Sequence, residues 1–397
     1  MRVMFRILAL TFLAFSIERV AAVELGIDML KAQGFAPLAG KRIGLVTNQT
    51  GVDSAGTKTR VILRKAQNVR LVALYSPEHG IDGTAAASQY IPSRKDPVTG
   101  LPVHSLYGPT RKPSAEMLRG IDVLVYDMQD IGVRSYTYVS TMAKCMEACG
   151  EQRIPFVVLD RPNPLGGVRI EGPGIEEKWR SFVGQFPVPY LHGMTAGELA
   201  KMANAHGWTG ARCQLTVVPM QGWSRDMTWG RTGLRWVQTS PNIPRANSVP
   251  YYAATSIFGS LEGAGLDVGI GTDVPFQMGG MKGMNPSSFV RELQATGLRS
   301  AEPYSRKEFG GALLNLSADS QVNLAAVNIQ LLCAAQRNSR GSIFERYRDP
   351  DGIMWKVYGS TGIRPLIEKG ASPAAIVASW QPVVDRFRAD RQAYLLY

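Results

Sequence analysis

Short, almost wholly apolar runs alternate with amphipathic ones through the first half of the chain. Segments 41–47, 69–75, 102–105, 122–126, 155–160 and 214–220 read as strands. Segments 57–67, 113–119, 139–150 and 196–206 read as helices. Pro113 stands at a helix start, while Gly150 and Gly207 stand at stops; Thr195 with Glu198 three residues on forms a capping box. Strands that are apolar on both faces and separated by helices predict a parallel sheet covered on both sides. The fold class expected is α/β, with a Rossmann-like, doubly wound N-terminal domain. The Pro-rich segment 239–245 marks the expected boundary, giving domains at 23–238 and 239–397. Beyond it, a strand at 266–270, a helix at 286–295 and further helical segments predict a smaller α+β C-terminal domain.

Residues 1–22 are set apart from this pattern. Arg2 and Arg6 form a basic start, 7–17 an apolar stretch, and Val20-Ala21-Ala22 a small-residue cleavage site. Eleven apolar residues are too few for a stable membrane span, so the expectation is a cleaved signal peptide and a periplasmic or secreted protein without stable membrane insertion. The formal net charge is +12; removing Arg2, Arg6, Arg19 and Glu18 takes away +2 and leaves +10. That charge favours an anionic partner. Export argues against nucleic acid, and with no dense Lys/Arg tract the plainer alternative is a charge that serves general solubility. Four cysteines impose no disulfide framework, and Cys145 and Cys149, four apart on one helix, are poorly placed to bridge each other. Buried thiols are expected.

The chemistry gathers where strands end. SPEHGIDG (76–83) follows the strand at 69–75 and presents adjacent Glu78 and His79 in a Gly-bounded loop. In an open α/β sheet, ligands bind in the crevice beyond the carboxyl ends of the strands. YDMQDIGVRSYTY (126–138) crowds Asp127, Gln129, Asp130, Arg134 and Tyr136 beyond the strand at 122–126, a density suited to sugar hydroxyls. The plainer alternative is an i,i+4 ion pair between Asp130 and Arg134. LDRPNP (159–164) adds Asp160, Arg161 and Asn163, which could instead bond their own loop backbone. Glu171, His192 and Asn242 fall in the Gly- and Pro-rich loops that follow. Glu262 precedes a Gly-rich turn that matches neither a dinucleotide nor a Walker fingerprint. Neither paired His spacing nor a G-x-S-x-G elbow occurs, which argues against a metal site and a typical α/β-hydrolase.

Taken in order, IGLVTNQTG (43–51), SPEHGIDG, YDMQDIGVRSYTY, LDRPNP, IEGP (170–173), HGMTAGELA (192–200), SPNIP (240–244) and the Glu262 segment resemble the exo-β-N-acetylmuramidases, long listed as a domain of unknown function. The resemblance implies a Rossmann-like domain, a smaller C-terminal domain and an active site in the cleft between them. It implies hydrolysis of a β-1,4 bond at the non-reducing end of peptidoglycan fragments, with muropeptides or amino sugars as partners and no cofactor. Glu78 matches the family's Pro-Glu-His-Gly glutamate, and Glu262 a glutamate of its C-terminal motif. That motif commonly reads Glu-Gly-Thr-Asn-x-Ser-x-Gly-Arg-Gly-Thr; here Ala264, Gly265, Asp267 and Ile270 replace Thr, Asn, Ser and Arg.

Glycoside hydrolysis needs a proton donor at the leaving oxygen and a carboxylate acting as nucleophile or base. Glu78 is assigned as general acid, oriented by His79, with Glu262 as partner and Asp127 or Asp130 as substitutes. A substrate-assisted route through the 2-acetamido group is also open. Arg134 and Arg161 are candidates for the lactyl carboxylate, through bidentate pairing. Two other classes compete: a non-catalytic binder of envelope sugars, and a hydrolase of an amide or ester.

Overall fold

The computed structural model describes residues 22–345, 347 and 352–397; the side chain of Glu262 also lies outside the description, as does the expected signal segment up to residue 21. Strands β1 (Arg42–Thr47), β2 (Arg70–Ser76), β3 (Arg94–Lys95), β4 (Pro102–Ser105), β5 (Val123–Asp127), β6 (Phe156–Leu159) and β7 (Leu215–Val218) form one sheet in the order β3-β4-β2-β1-β5-β6-β7. Every neighbouring pair is parallel except β3 with β4. Position in the sheet explains the strand sequences. Central β5 and β6 are buried at every residue, whereas edge strand β3 exposes Arg94 and Lys95, charges that discourage further strand pairing.

Alternate residues of each strand feed two apolar layers. Ile43, Leu45, Val123 and Val125 pack with α1 (Gly26–Ala32) and α2 (Thr59–Lys65). Val46, Leu124, Tyr126 and Val158 face α3 (Tyr138–Gln152) and α4 (Ala196–His206). This second layer runs on without a break into the C-terminal part. There, α5 (Ser248–Gly259), α6 (Pro286–Ala295) and α7 (Leu324–Asn338) pack around a sheet of β8 (Leu266–Asp267), β9 (Met278–Lys282), β10 (Ala301–Arg306) and β11 (Phe309–Leu314), ordered β10-β11-β9-β8 and antiparallel throughout. Short helices α8 (Ile353–Tyr358), α9 (Ile363–Glu368), α10 (Pro373–Ala378) and α11 (Gln381–Asp390) complete it. The fold is thus a doubly wound, parallel-dominated domain joined to a smaller α+β one.

Helix α4 shows how local sequence sets a boundary. Thr195 Oγ1 accepts from Glu198 N at 3.2 Å, Glu198 Oε2 accepts from Thr195 N at 3.0 Å, and Gly207 closes the helix at φ +70°. Two expected elements differ. Segment 113–119 is a run of turns: Leu118 N reaches Ser114 O, but Arg119 and Ile121 then make tighter three-residue turns, and Gly120 adopts φ +79°. One turn between Pro113 and Gly120 is too short to repay helix nucleation. The strand expected at 266–270 stops at Asp267, because Gly269 and Gly271 turn the chain at φ +78° and +72°. All four cysteines are buried thiols.

Candidate active site

The chain leaves β2 at Ser76 and turns through two left-handed residues, His79 at φ +68° and Gly80 at φ +76°. A non-glycine in that region is strained and persists where its surroundings hold it. Here His79 Nδ1 bonds Ala85 O at 2.7 Å. A carbonyl can only accept, so Nδ1 is the donor in this bond. Buried Arg60 on α2 supports the loop from behind, donating to Ile81 O at 3.2 Å and to Asp82 at 3.3 Å, with Asp96 at 3.5 Å. Glu78 is 8% exposed. Its Oε1 accepts from Ser88 N at 3.0 Å and its Oε2 meets Thr137 Oγ1 at 2.8 Å.

Glu78 and His79 open into a cavity of about 210 Å³. The N-terminal domain contributes Tyr107, Arg111, Tyr136, Thr137, Tyr138 and Phe182; the other side is formed by Asn242, Tyr252 of α5 and Phe276. Rings line it in sequence: Tyr138 and Tyr136 lie 4.9 Å apart, Tyr136 and Tyr252 5.8 Å, Tyr252 and Phe276 4.8 Å. Ser135 Oγ and Tyr252 OH, both lining it and 3.2 Å apart, tie the two domains together. Burial and the Glu78 charge push the Tyr107 phenol above its usual pKa. Aromatic walls, a few convergent polar groups and a volume below the ~300–1,000 Å³ of drug-sized sites suit one terminal sugar unit. Arg111, Tyr107, Thr137 and Tyr252 are additions to the expected set. Tyr107 and Arg111 follow β4, so the same strand-end rule points to them; nothing in the sequence marks Tyr252.

The neighbouring strand ends use their polar groups differently. Asp127 accepts from Arg161 Nε at 2.6 Å and Thr59 Oγ1 at 2.5 Å, and Arg161 also donates to Val52 O at 2.6 Å. Gln129 donates to Asp130 O and Pro162 O, both at 2.8 Å. Gln129 and Arg161 border a separate cavity of about 430 Å³ with Trp229 and Trp236. Asp130 accepts from Gly132 N at 2.7 Å, and burial pushes its carboxyl up to about 7.

Arg134 makes no pair with Asp130. Its Nη1 donates to Pro173 O and Val188 O and its Nη2 to Val357 O and Tyr358 O, at 2.7–2.9 Å. The guanidinium is buried and its two Nη groups clamp the two domains, so the expected carboxylate-binding role is corrected: the group is closed off from the Glu78 cavity. Asp160 caps α4 by accepting from Gly197 N at 2.8 Å and also binds Thr195 and Tyr397 hydroxyls at 2.7 and 2.8 Å; burial raises it to about 6. Asn163 braces its own turn through Leu165 N at 3.0 Å and holds Met194 O at 3.1 Å. Glu171 pairs with Arg169 and accepts from Ala325 N at the start of α7. His192 is buried, its Nδ1 accepts from Met194 N at 3.2 Å, and burial lowers it to about 3. Of the expected residues, Glu78, His79, Tyr136 and Asn242 therefore share the pocket, and Asp160, Asn163, Glu171 and His192 hold loops in place.

Glu262 opens the 3-10 turn Glu262–Ala264 between α5 and β8. Asp267, at the family's Ser position, accepts from Gly269 N at 2.8 Å and pairs with Arg306 at 3.1 Å, while Ile270 is exposed. Among the described residues, no group of three or more His, Cys, Asp or Glu is placed to hold a metal ion, and no helix is long and apolar enough to cross a membrane.

Comparison with known proteins fits this arrangement. The sequence model of the N-terminal domain of exo-beta-N-acetylmuramidase NamZ matches residues 43–247, and that of the C-terminal domain residues 251–397. The peptidoglycan beta-N-acetylmuramidase NamZ of Bacillus subtilis (strain 168) is 38% identical over 94% of this chain and 91% of its own length. Two crystal structures of DUF1343 family proteins from Bacteroides fragilis NCTC 9343 are similar. One is 39% identical with a TM-score of 0.86, covering 96% of this chain and 100% of the other; the second is 30% identical with a TM-score of 0.76, covering 95% and 99%. With the pocket at the domain junction and both domain models matched in order, the chain belongs to the exo-β-N-acetylmuramidase NamZ family.

Proposed function

We propose that this protein is an exo-acting glycoside hydrolase that releases β-1,4-linked N-acetylmuramic acid from the non-reducing end of peptidoglycan fragments, with Glu78 as proton donor. The observation that carries the assignment is a carboxyl lining a ring-lined cavity sized for one sugar. Ser88 N–H fixes Oε1 as an acceptor, whereas Thr137 Oγ1 can accept as well as donate. Oε2 is therefore the oxygen that can hold a proton and pass it to the glycosidic oxygen. As the C1–O bond breaks, charge at C1 is met by a carboxylate, for which Glu262 is the candidate, or by the sugar's own 2-acetamido oxygen. Water then adds at C1 and its proton returns to Glu78. His79 supports the loop through its Nδ1 bond to Ala85 O.

Export to the periplasm or beyond is part of the same reading. The basic start, apolar run and small-residue site of residues 1–22 support it, and so does the location of peptidoglycan outside the cytoplasm. Muropeptides as well as bare disaccharides are within the proposed substrate range.

Incubation with a MurNAc–GlcNAc disaccharide tests the reading. The expected result is release of both sugars, and a loss of about 10²- to 10⁴-fold in kcat in Glu78→Gln, the usual worth of a general acid. Binding without cleavage, or near-normal kcat in that variant, would overturn it.

A further inference from the structure

We infer that Arg111 sets the specificity for muramic acid by receiving the lactyl carboxylate of the terminal sugar; the inference rests on the glycosidase reading and deepens it. Arg111 is the single Lys or Arg in the described lining of the Glu78 cavity. It lies in the loop after β4 and packs against two neighbouring rings, with its guanidinium carbon 4.3 Å from the centroid of Phe182 and 5.3 Å from that of Tyr107. Stacking on rings fixes the plane of a guanidinium and leaves its N–H edge for a planar anion.

The charges around Arg111 are already matched to other partners. Glu147 and Glu177 lie on its outer side. Glu147 pairs with Lys112 at 2.9 Å and Lys144 at 2.8 Å, and Glu177 with Arg180 at 3.0 Å. Among the described residues no carboxylate lies within ion-pairing distance of Arg111. On the inner side, Glu78, Tyr107 and Arg111 line the same cavity, with Arg111 against the Tyr107 ring. A sugar that places its glycosidic oxygen at Glu78 can thus set a carboxylate against Arg111. Without that cation, the lactyl anion would approach Glu78 unbalanced. Neither Arg134 nor Arg161 lines this cavity: Arg134 is buried against backbone carbonyls and Arg161 borders the separate cavity.

The test compares a chromogenic N-acetylmuramic acid glycoside carrying a free lactyl carboxylate with the same glycoside as its lactyl amide. Charge-assisted hydrogen bonds of this kind contribute about 10- to 150-fold. The wild type should favour the free acid by about that factor in kcat/KM, mostly through KM. Arg111→Met should bring the acid-to-amide ratio close to one, and Arg111→Lys should restore part of it. Because the readout is a ratio within one protein, partial misfolding cancels. An unchanged ratio in Arg111→Met, with turnover intact, overturns the role of Arg111 alone. Failure of the wild type to cleave either glycoside overturns the glycosidase reading and this inference with it.

Discussion

Beyond β2 and β4 on one side, and beyond β5 and β6 on the other, the chain lays down polar loops of similar density. In the first region Glu78 meets a backbone N–H and a hydroxyl, and Arg111 has two rings but, among the described residues, no paired carboxylate. In the second, Asp127, Arg161, Arg134 and Asp160 bond to one another's loops, to carbonyls and to the start of α4. The difference is one of remaining capacity. A polar group whose bonds are complete within the fold stabilises it; a group left with an open side can recognise a ligand. Similar residues at similar strand ends therefore serve opposite ends.

That contrast can be broken from either side. The largest effect is expected on the saturated side: Arg161→Met or Asp127→Asn leaves one member of a buried ion pair without its partner, which costs about 3–5 kcal/mol. Denaturant midpoints should fall accordingly, whereas Glu78→Gln should shift turnover and leave the midpoint nearly unchanged. A stable, active Arg161→Met would place that cluster outside the scaffold. Next comes pH. Asp130, raised to about 7, and Asp160, raised to about 6, hold protons in the folded state that the unfolded chain releases near pH 4. Their contribution is complete below about pH 4 and is lost as pH rises toward 7, at no more than about 1.4 kcal/mol per pH unit for each group. Asp130→Asn should flatten that decline; an unaltered slope would mean that Asp130 ionises freely. The smallest change is Thr195→Ala, which removes one cap of α4 at about 1 kcal/mol and leaves the Glu78 pocket untouched.

Legibility followed the range of the interactions. The capping box of α4 and the buried strands β5 and β6 rest on contacts within a few residues or on unbroken apolar runs, and these were readable directly. Glu78 and His79 were readable because a strand end and a glycine-bounded loop adjoin in sequence. Arg134 was misread because the carbonyls that accept its hydrogen bonds lie 39 to 224 residues away. Tyr252 and Phe276 reach the pocket from the other domain, and no local pattern distinguishes them from core aromatics.

By itself, the sequence determined the alternation of buried strands and amphipathic helices, the parallel sheet they require, and which loops stand at its carboxyl edge. Those follow from periodicity and backbone hydrogen bonding, which act over short stretches of chain. Tertiary structure decided which of those polar loops became a pocket and which became scaffold. That outcome depends on whether distant carbonyls, helix starts and rings arrive to complete each group's bonds, and on the packing of the second domain against the first.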